Sequence, residues 1–274
     1  MDRRELLTEV FNDTENWIKN TPELKNSVRE SINGTRVYME ENIPEIECGK
    51  HFETDISVSP SRSFEAAMRL KKEYTNSKVA VHNFASATNP GGSVRHGSSA
   101  QEECLCRCST LYPVIASGNV REYYNYHRSK HDARYSNACI YSPDIVIIKS
   151  DESVPGRLDK KDWCKVDIIT CAAPNLNPNR YSGGDKKELS DNELMELHIK
   201  RARAMLSVAL ENGAEILVLG AFGCGAFRNN PFVVANAYKR VLAEFAGCFR
   251  KIEFAVYCPP KDRQNYETFK RILG

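Results

Sequence analysis

Two predominantly apolar runs constrain the fold most: Val166 to Ala173 (VDIITCAA) and Ile216 to Phe222 (ILVLGAF). Both are far shorter than the roughly 20 residues a membrane span needs. Neither shows the apolar–polar alternation of a strand with one wet face. Short apolar runs bounded by turn residues read as strands covered on both sides, as in sheets sandwiched between helices. The flanking segments agree. HFETDISVSP reads as a strand ending at Pro60, Ser63 to Lys72 as a helix and Lys78 to Phe84 as a second strand. A helix over Gln101 to Leu111 and strands over Ala138 to Ile148 and Val166 to Ala172 follow, with Asn175 to Asp185 as a loop rich in Asn, Pro and Gly. The helix from Asp191 to Asn212 opens on Ser190 with Glu193 three residues on, a capping-box arrangement. Strand Ile216 to Gly220, helix Pro231 to Phe245, strand Ile252 to Tyr257 and a helix from Arg263 to Leu273 complete the pattern. Strands alternating with helices predict a layered α/β sheet.

Residues 1 to about 45 are expected to be helical, from Leu6, Leu7, Val10, Phe11, Trp17 and Ile18, then Leu24, Val28 and Ile32, with Asn33-Gly34 as a breaker. They are read as an N-terminal extension ahead of one domain over 46–274. No internal repeat or low-complexity tract interrupts that domain.

Composition narrows the function classes. Lys and Arg number 38 against 36 Asp and Glu, so a formal charge of +2 gives no basic field for DNA or RNA. Ten cysteines raise the question of a disulfide scaffold. The charged start MDRRELLTEVF lacks the apolar core of a signal peptide, and a chain this long needs no staples. The expectation is a cytoplasmic protein with reduced thiols. Cys104, Cys106 and Cys108 alternate in ECLCRCS without a CxxC pair or HxxxH partner, so they read as buried thiols rather than metal ligands.

Two loops leave the C-terminal ends of predicted buried strands, where open α/β sheets place ligands. One is Gly220 to Asn230 (GAFGCGAFRNN), followed by Pro231 at a helix start. A glycine loop before a helix N-terminus can bind an anion. Its spacing is neither a Walker loop nor GxGxxG, so a plain tight turn also explains it. The other loop, Asn83 to Glu103, ends with Gln101, Glu102 and Glu103 at a helix start. Adjacent carboxylates there suit the helix dipole. A carboxyl pair in a cleft also suits glycosidic chemistry, which needs one group to hold a proton for the leaving oxygen.

The stretch NFASATNPGGSVRHGSSAQEECLCRCSTLYP resembles the signature of bacterial-type poly(ADP-ribose) glycohydrolases, a macrodomain branch. That signature is a glycine triplet, six to eight residues and Gln-Glu-Glu. GAFGCGAFRNNP resembles the family's diphosphate loop, and YSPDIVIIKSD its central strand region. The resemblance runs from about residue 50 to the C-terminus, and a helical N-terminal extension is usual in the family.

It implies a three-layer α/β/α macrodomain with a mixed central sheet. It also implies hydrolysis of poly(ADP-ribose) without cofactor or metal. Glu103 matches the catalytic glutamate, which would protonate the leaving 2′-oxygen and then activate water. Glu102 would hold the ribose hydroxyls and Gln101 would fix the loop. Gly91 and Gly92 would let the backbone pass close to substrate. Gly223, Cys224, Gly225 and Ala226 would offer amides to the diphosphate, Phe227 would pack on the terminal ribose, and Asn83 would contact ligand.

Ser93 stands where the family has its third glycine, a departure that matters if the position needs positive φ or if its backbone must lie against substrate. The implied substrate is the polymer or an ADP-ribosylated protein, with no membrane or sequence-specific nucleic acid and a monomeric enzyme. Two rivals remain, a non-catalytic ADP-ribose reader and a hydrolase of mono(ADP-ribosyl) or other conjugates. An acid at the scissile bond disfavours the first. His82, His96, Trp163 and the tyrosines at 123, 124 and 126 are read as packing or structural hydrogen-bonders, and Asn175 as a weaker ligand candidate.

Overall fold

In the computed structural model, which describes residues 2–45, 48–49, 51–177 and 189–274, seven strands form one mixed sheet. They are β1 (Arg36–Tyr38), β2 (Asp55–Ser59), β3 (Val79–Phe84), β4 (Cys139–Ile147), β5 (Cys164–Cys171), β6 (Ile216–Leu219) and β7 (Lys251–Ala255), in the order β1-β4-β5-β3-β6-β7-β2. The five strands β5, β3, β6, β7 and β2 run parallel, while β4 is antiparallel to β5 and to β1.

The continuous apolar strands are explained by cover on both faces. Val79, Val81, Ile216 and Val218 point to one face. There they meet α3 (Ser63–Glu73), α4 (Gln101–Cys108), α5 (Leu111–Ile115) and Phe11 of α1 (Arg3–Asn20). Their neighbours Ala80, Leu217 and Leu219 point to the other face, into α7 (Asp191–Glu211), α8 (Pro231–Glu244) and α9 (Gln264–Leu273). Each fully buried Leu or Val there contributes about 1.5–3 kcal/mol by leaving water. The expected three layers are present. Among the described residues, no helix is long and apolar enough to cross a membrane.

Three local expectations are corrected. Residues 1–45 are not all helix: after α1 and α2 (Pro22–Gly34), Arg36–Tyr38 pairs with Cys139–Tyr141 as an edge strand. The helix from Gln101 does not reach Leu111. Ser109 is extended and bridges to Ile147, and the Thr110 N–H donates to Val146 O at 3.0 Å, so β4 draws the chain out of the helix. An additional helix, α6 (Arg121–Lys130), buries Tyr123, Tyr124 and His127, so those two tyrosines are packing.

The thiol expectation fails at one pair. Cys48 and Cys248, 200 residues apart, form a disulfide; the other eight cysteines are free. The amides of His51 and Phe52 donate to Gly247 O, which draws the lead into β2 against the turn after α8. The loop expected over Asn175 to Asp185 lies outside the described residues from 178 onward.

Candidate active site

A cleft of about 450 Å³ lies over the C-terminal ends of β3, β6 and β7. Glu102, Glu103, Gln101, Gly92 and Ser93 line it together with Gly223, Gly225, Ala226 and Phe227. The two loops singled out in the sequence therefore share one cavity.

The Asn83-to-Glu103 side is built backward from β3. Gln101 binds the strand end twice: its Oε1 accepts from the Phe84 N–H at 2.9 Å, and its Nε2 donates to His82 O at 2.7 Å. This fixes the first turn of α4, where the helix dipole favours negative side chains. Glu102 is only 2% exposed, and its oxygens accept from Asn83 Nδ2 at 3.3 Å and the Ser86 amide at 2.8 Å. Burial pushes its carboxyl up to about 8, against the lowering effect of the Ser86 amide, with the Glu103 charge adding to the rise. Burial therefore favours the neutral form of Glu102, against the N–H donors that favour its charge. Glu103 is 7% exposed; its Oε1 accepts the Ser93 N–H at 3.0 Å, while Oε2 is buried and unpartnered among the described residues.

The glycines earn their places unequally. Gly92 has φ +59°, and a Cβ built on it would lie 2.5 Å from Glu103 Oε1 and 3.3 Å from Glu102 Oε2. Gly91 also has positive φ, with Tyr112 packed against it, but does not line the cleft. Ser93 has φ −112°, so this position makes no demand for a left-handed backbone. The part of the concern that rested on positive φ is removed.

In the second loop, Gly223 has φ +76°. The Cys224 N–H is spent within the loop on Ala221 O at 3.1 Å, and its thiol is not at the cleft. Gly223, Gly225 and Ala226 line the cleft, and their amides have no backbone acceptor among the described residues. Asn229, which sequence reasoning passed over, holds the loop closed: its Nδ2 donates to Pro174 O, Gly223 O and Phe227 O. Only its place at the end of a glycine loop hinted at that role.

Asn83, expected at the ligand, sits fully buried behind Glu102 and donates to it and to Thr170. Asn175 is buried beside the turn at Ala133 and does not line the cleft. Trp163 packs edge-on against Trp17. His96 is exposed on a 3-10 turn. The other end of the cavity carries Ser61, Arg62, Asn265 and Tyr257, with the Arg62 guanidinium 4.0 Å above the Tyr257 ring. These residues gave no warning in the sequence.

Beneath the floor, His82 packs against Phe84 and Phe222, and His198 Nε2 donates to Asn229 Oδ1 at 2.8 Å. Burial drives His82 down to about 3, helped by His198, and His198 down to about 4. Both folded values lie below the ordinary 6.5, so unfolding takes up protons. Their contribution to stability is complete above pH 6.5 and is lost as pH falls toward 4, by up to about 1.4 kcal/mol per pH unit per ring. His82→Leu, whose lost ring nitrogens have no partners among the described residues, should narrow this loss. Urea unfolding of both proteins from pH 8 to 5 measures it; parallel curves would refute it.

Cys104 is half-buried and Cys106 and Cys108 are fully buried in α4. Among the described residues no group of three His, Cys, Asp or Glu side chains could hold a metal ion.

A family model described as microbial-type PARG, catalytic domain, matches residues 11–150. The chain is similar to the crystal structure of poly(ADP-ribose) glycohydrolase (PARG) from Thermomonospora curvata, at 30% identity over 98% of this chain and 100% of that one, with a TM-score of 0.86. The same enzyme bound to the inhibitor ADP-HPD superposes with a TM-score of 0.84, at 30% identity and covering 98% and 99% of the two chains. The enzyme from Deinococcus radiodurans in complex with ADP-ribose has 35% identity, covering 89% of this chain and 95% of that one, with a TM-score of 0.77. No curated protein matches the chain.

Proposed function

Since the chain belongs to the microbial-type poly(ADP-ribose) glycohydrolase family, we propose that Glu103 is the acid and base of its reaction. The protein is a glycosidase: it hydrolyses ribose–ribose O-glycosidic bonds in poly(ADP-ribose) and releases ADP-ribose. The observation that carries the residue assignment is the carboxylate pair in one cleft with the glycine loop, with one Glu103 oxygen left without a partner among the described residues.

In this reading, Glu103 gives its proton to the 2′-oxygen of the neighbouring unit as the bond to the anomeric carbon breaks. The ribose becomes oxocarbenium-like. Water then adds to the anomeric carbon and its proton returns to the Glu103 carboxylate. Glu102 orients ribose hydroxyls from beside Glu103, and Asn83 and Ser86 hold it there. Gln101 fixes the helix start. Gly91 and Gly92 shape the loop, and Ser93 supplies the amide that steadies Glu103.

Gly223, Gly225 and Ala226 offer amides to the diphosphate, with Cys224 maintaining the turn, and Phe227 packs on the terminal ribose. The remaining wall, from Arg62 to Tyr257, takes the adenosine. The enzyme is read as a monomer made of domain 46–274 and its N-terminal extension. Eight free thiols favour a cytoplasmic location.

The test is product analysis with poly(ADP-ribose) and with mono-ADP-ribosylated protein. The expected product is free ADP-ribose from the polymer. Tight binding without product from either substrate would make the chain a reader instead. In the same assay Ser93→Gly should change polymer turnover by less than about threefold, because the backbone there is already at ease and only its amide holds Glu103. A tenfold gain or loss would assign the serine hydroxyl a role in substrate choice.

A further inference from the structure

Glu103 takes its hydrogen bond from a backbone amide, so the position of its carboxylate depends on what holds the 91–97 segment. That support comes from outside the sheet. Arg95, two residues after Ser93, makes paired bonds to Glu15 of α1: Nη2 to Oε1 at 2.7 Å and Nη1 to Oε2 at 3.0 Å. Its Nε donates to the Tyr112 hydroxyl at 3.1 Å, and its guanidinium lies 5.4 Å from the Phe11 ring centre and 5.0 Å from that of Tyr112. The Tyr112 ring in turn packs against Gly91, where a Cβ would come within 2.7 Å of it. At the far end of the segment, Gly97 has φ +70° and lies so close to Arg4 of α1 that a Cβ would come within 2.1 Å of its carbonyl oxygen.

α1 is a firm support. Thr14 Oγ1 donates to Arg107 O at 2.6 Å, Arg107 Nε donates to Leu7 O at 3.2 Å, and the buried Lys149 ammonium donates to Val10 O at 2.7 Å. These bonds tie α1 to the helix that carries Glu102 and Glu103 and to the segment just after β4. The 91–97 segment therefore lies between α1 on one side and the Glu103 carboxylate on the other.

We propose that Arg95 and Glu15 are positioning residues: their ion pair holds the Ser93 amide against Glu103, so the N-terminal helix takes part in catalysis. The proposal rests on the reading of Glu103 given above. The pair is partly exposed, with side-chain exposures of 52% for Arg95 and 18% for Glu15. An exposed pair of this kind contributes little to global stability. What it supplies is alignment, and a misplacement of about 1 Å can cost up to a hundredfold in rate.

Glu15→Gln and Arg95→Gln in the full chain should each lower kcat on poly(ADP-ribose) about tenfold. KM and the Kd for ADP-ribose should stay within about twofold, and the melting temperature within about 2 °C, because the cleft and core are untouched. Exchanging the two charges, Glu15→Arg with Arg95→Glu, should restore at least about half of kcat, since the bond is remade with its polarity reversed. Unchanged kcat in both single variants overturns the proposal. So does a swap no better than the singles, or a kcat loss accompanied by an equal loss of binding or melting temperature. A wild-type chain inactive on polymer would refute the function itself. An active Glu103→Gln would refute the residue assignment. Neutral Glu15 and Arg95 variants beside an inactive Glu103→Gln refute the positioning role alone.

Discussion

Glu103→Gln should lower polymer turnover by at least about a hundredfold, the scale of losing positioned acid–base help, while ADP-ribose binds with nearly unchanged affinity. The amide keeps the shape and can still accept the Ser93 N–H through its oxygen. It cannot release a proton to the leaving oxygen or take one from water. In the proposed reading, binding draws chiefly on the Gly223-to-Phe227 loop and the Tyr257 wall, which line the cleft away from the substituted side chain. Steady-state hydrolysis of poly(ADP-ribose) alongside calorimetric titration with ADP-ribose separates the two quantities. A variant that turns over at the wild-type rate would move the acid elsewhere, and one that loses rate and affinity together would make Glu103 a binding residue.

Gly92→Ala should be the next most damaging change, although it adds one methyl group. The backbone at φ +59° costs an L-residue about 1–2 kcal/mol. The new carbon would sit 2.5 Å from Glu103 Oε1, so the carboxylate must swing away from the Ser93 amide. A displaced acid loses rate on the order of a hundredfold, with a fall of a few degrees in melting temperature from the backbone cost. The same kinetics and a thermal melt check it. Wild-type kcat with a lowered melting temperature would show that the carboxylate accommodates the methyl group, and the close-approach argument would fail.

Much of the site was readable because its parts are local. Gln101, Glu102 and Glu103 occupy successive positions at one helix start, and the glycines of the second loop lie within a few residues of one another. Ser190 and Glu193 form the expected reciprocal cap, and Pro231 opens α8 as the sequence suggests. Continuous apolar runs marked β5 and β6 because both of their faces are covered. Helix α6 escaped it: Tyr123, Tyr124 and His127 are buried in a surface segment otherwise dense with charge, which leaves no long apolar stripe.

The sequence by itself determined the layered α/β class and marked the two loops and the carboxylates that share the cleft, since each depends on side chains close together along the chain. Only the tertiary structure decided the rest. The strand Arg36–Tyr38 exists because β4 offers it a partner, and the helix at Gln101 stops at Cys108 because β4 claims Ser109 and Thr110. Cys48 meets Cys248 across 200 residues. Asn83 became a support for Glu102 rather than a lining residue, and Ser93 proved free of backbone strain. Each outcome depends on contacts between residues distant in sequence or on a dihedral that several residue types can adopt. Neither leaves a pattern in the order of amino acids, because the partner that satisfies each hydrogen bond is chosen by the packed fold.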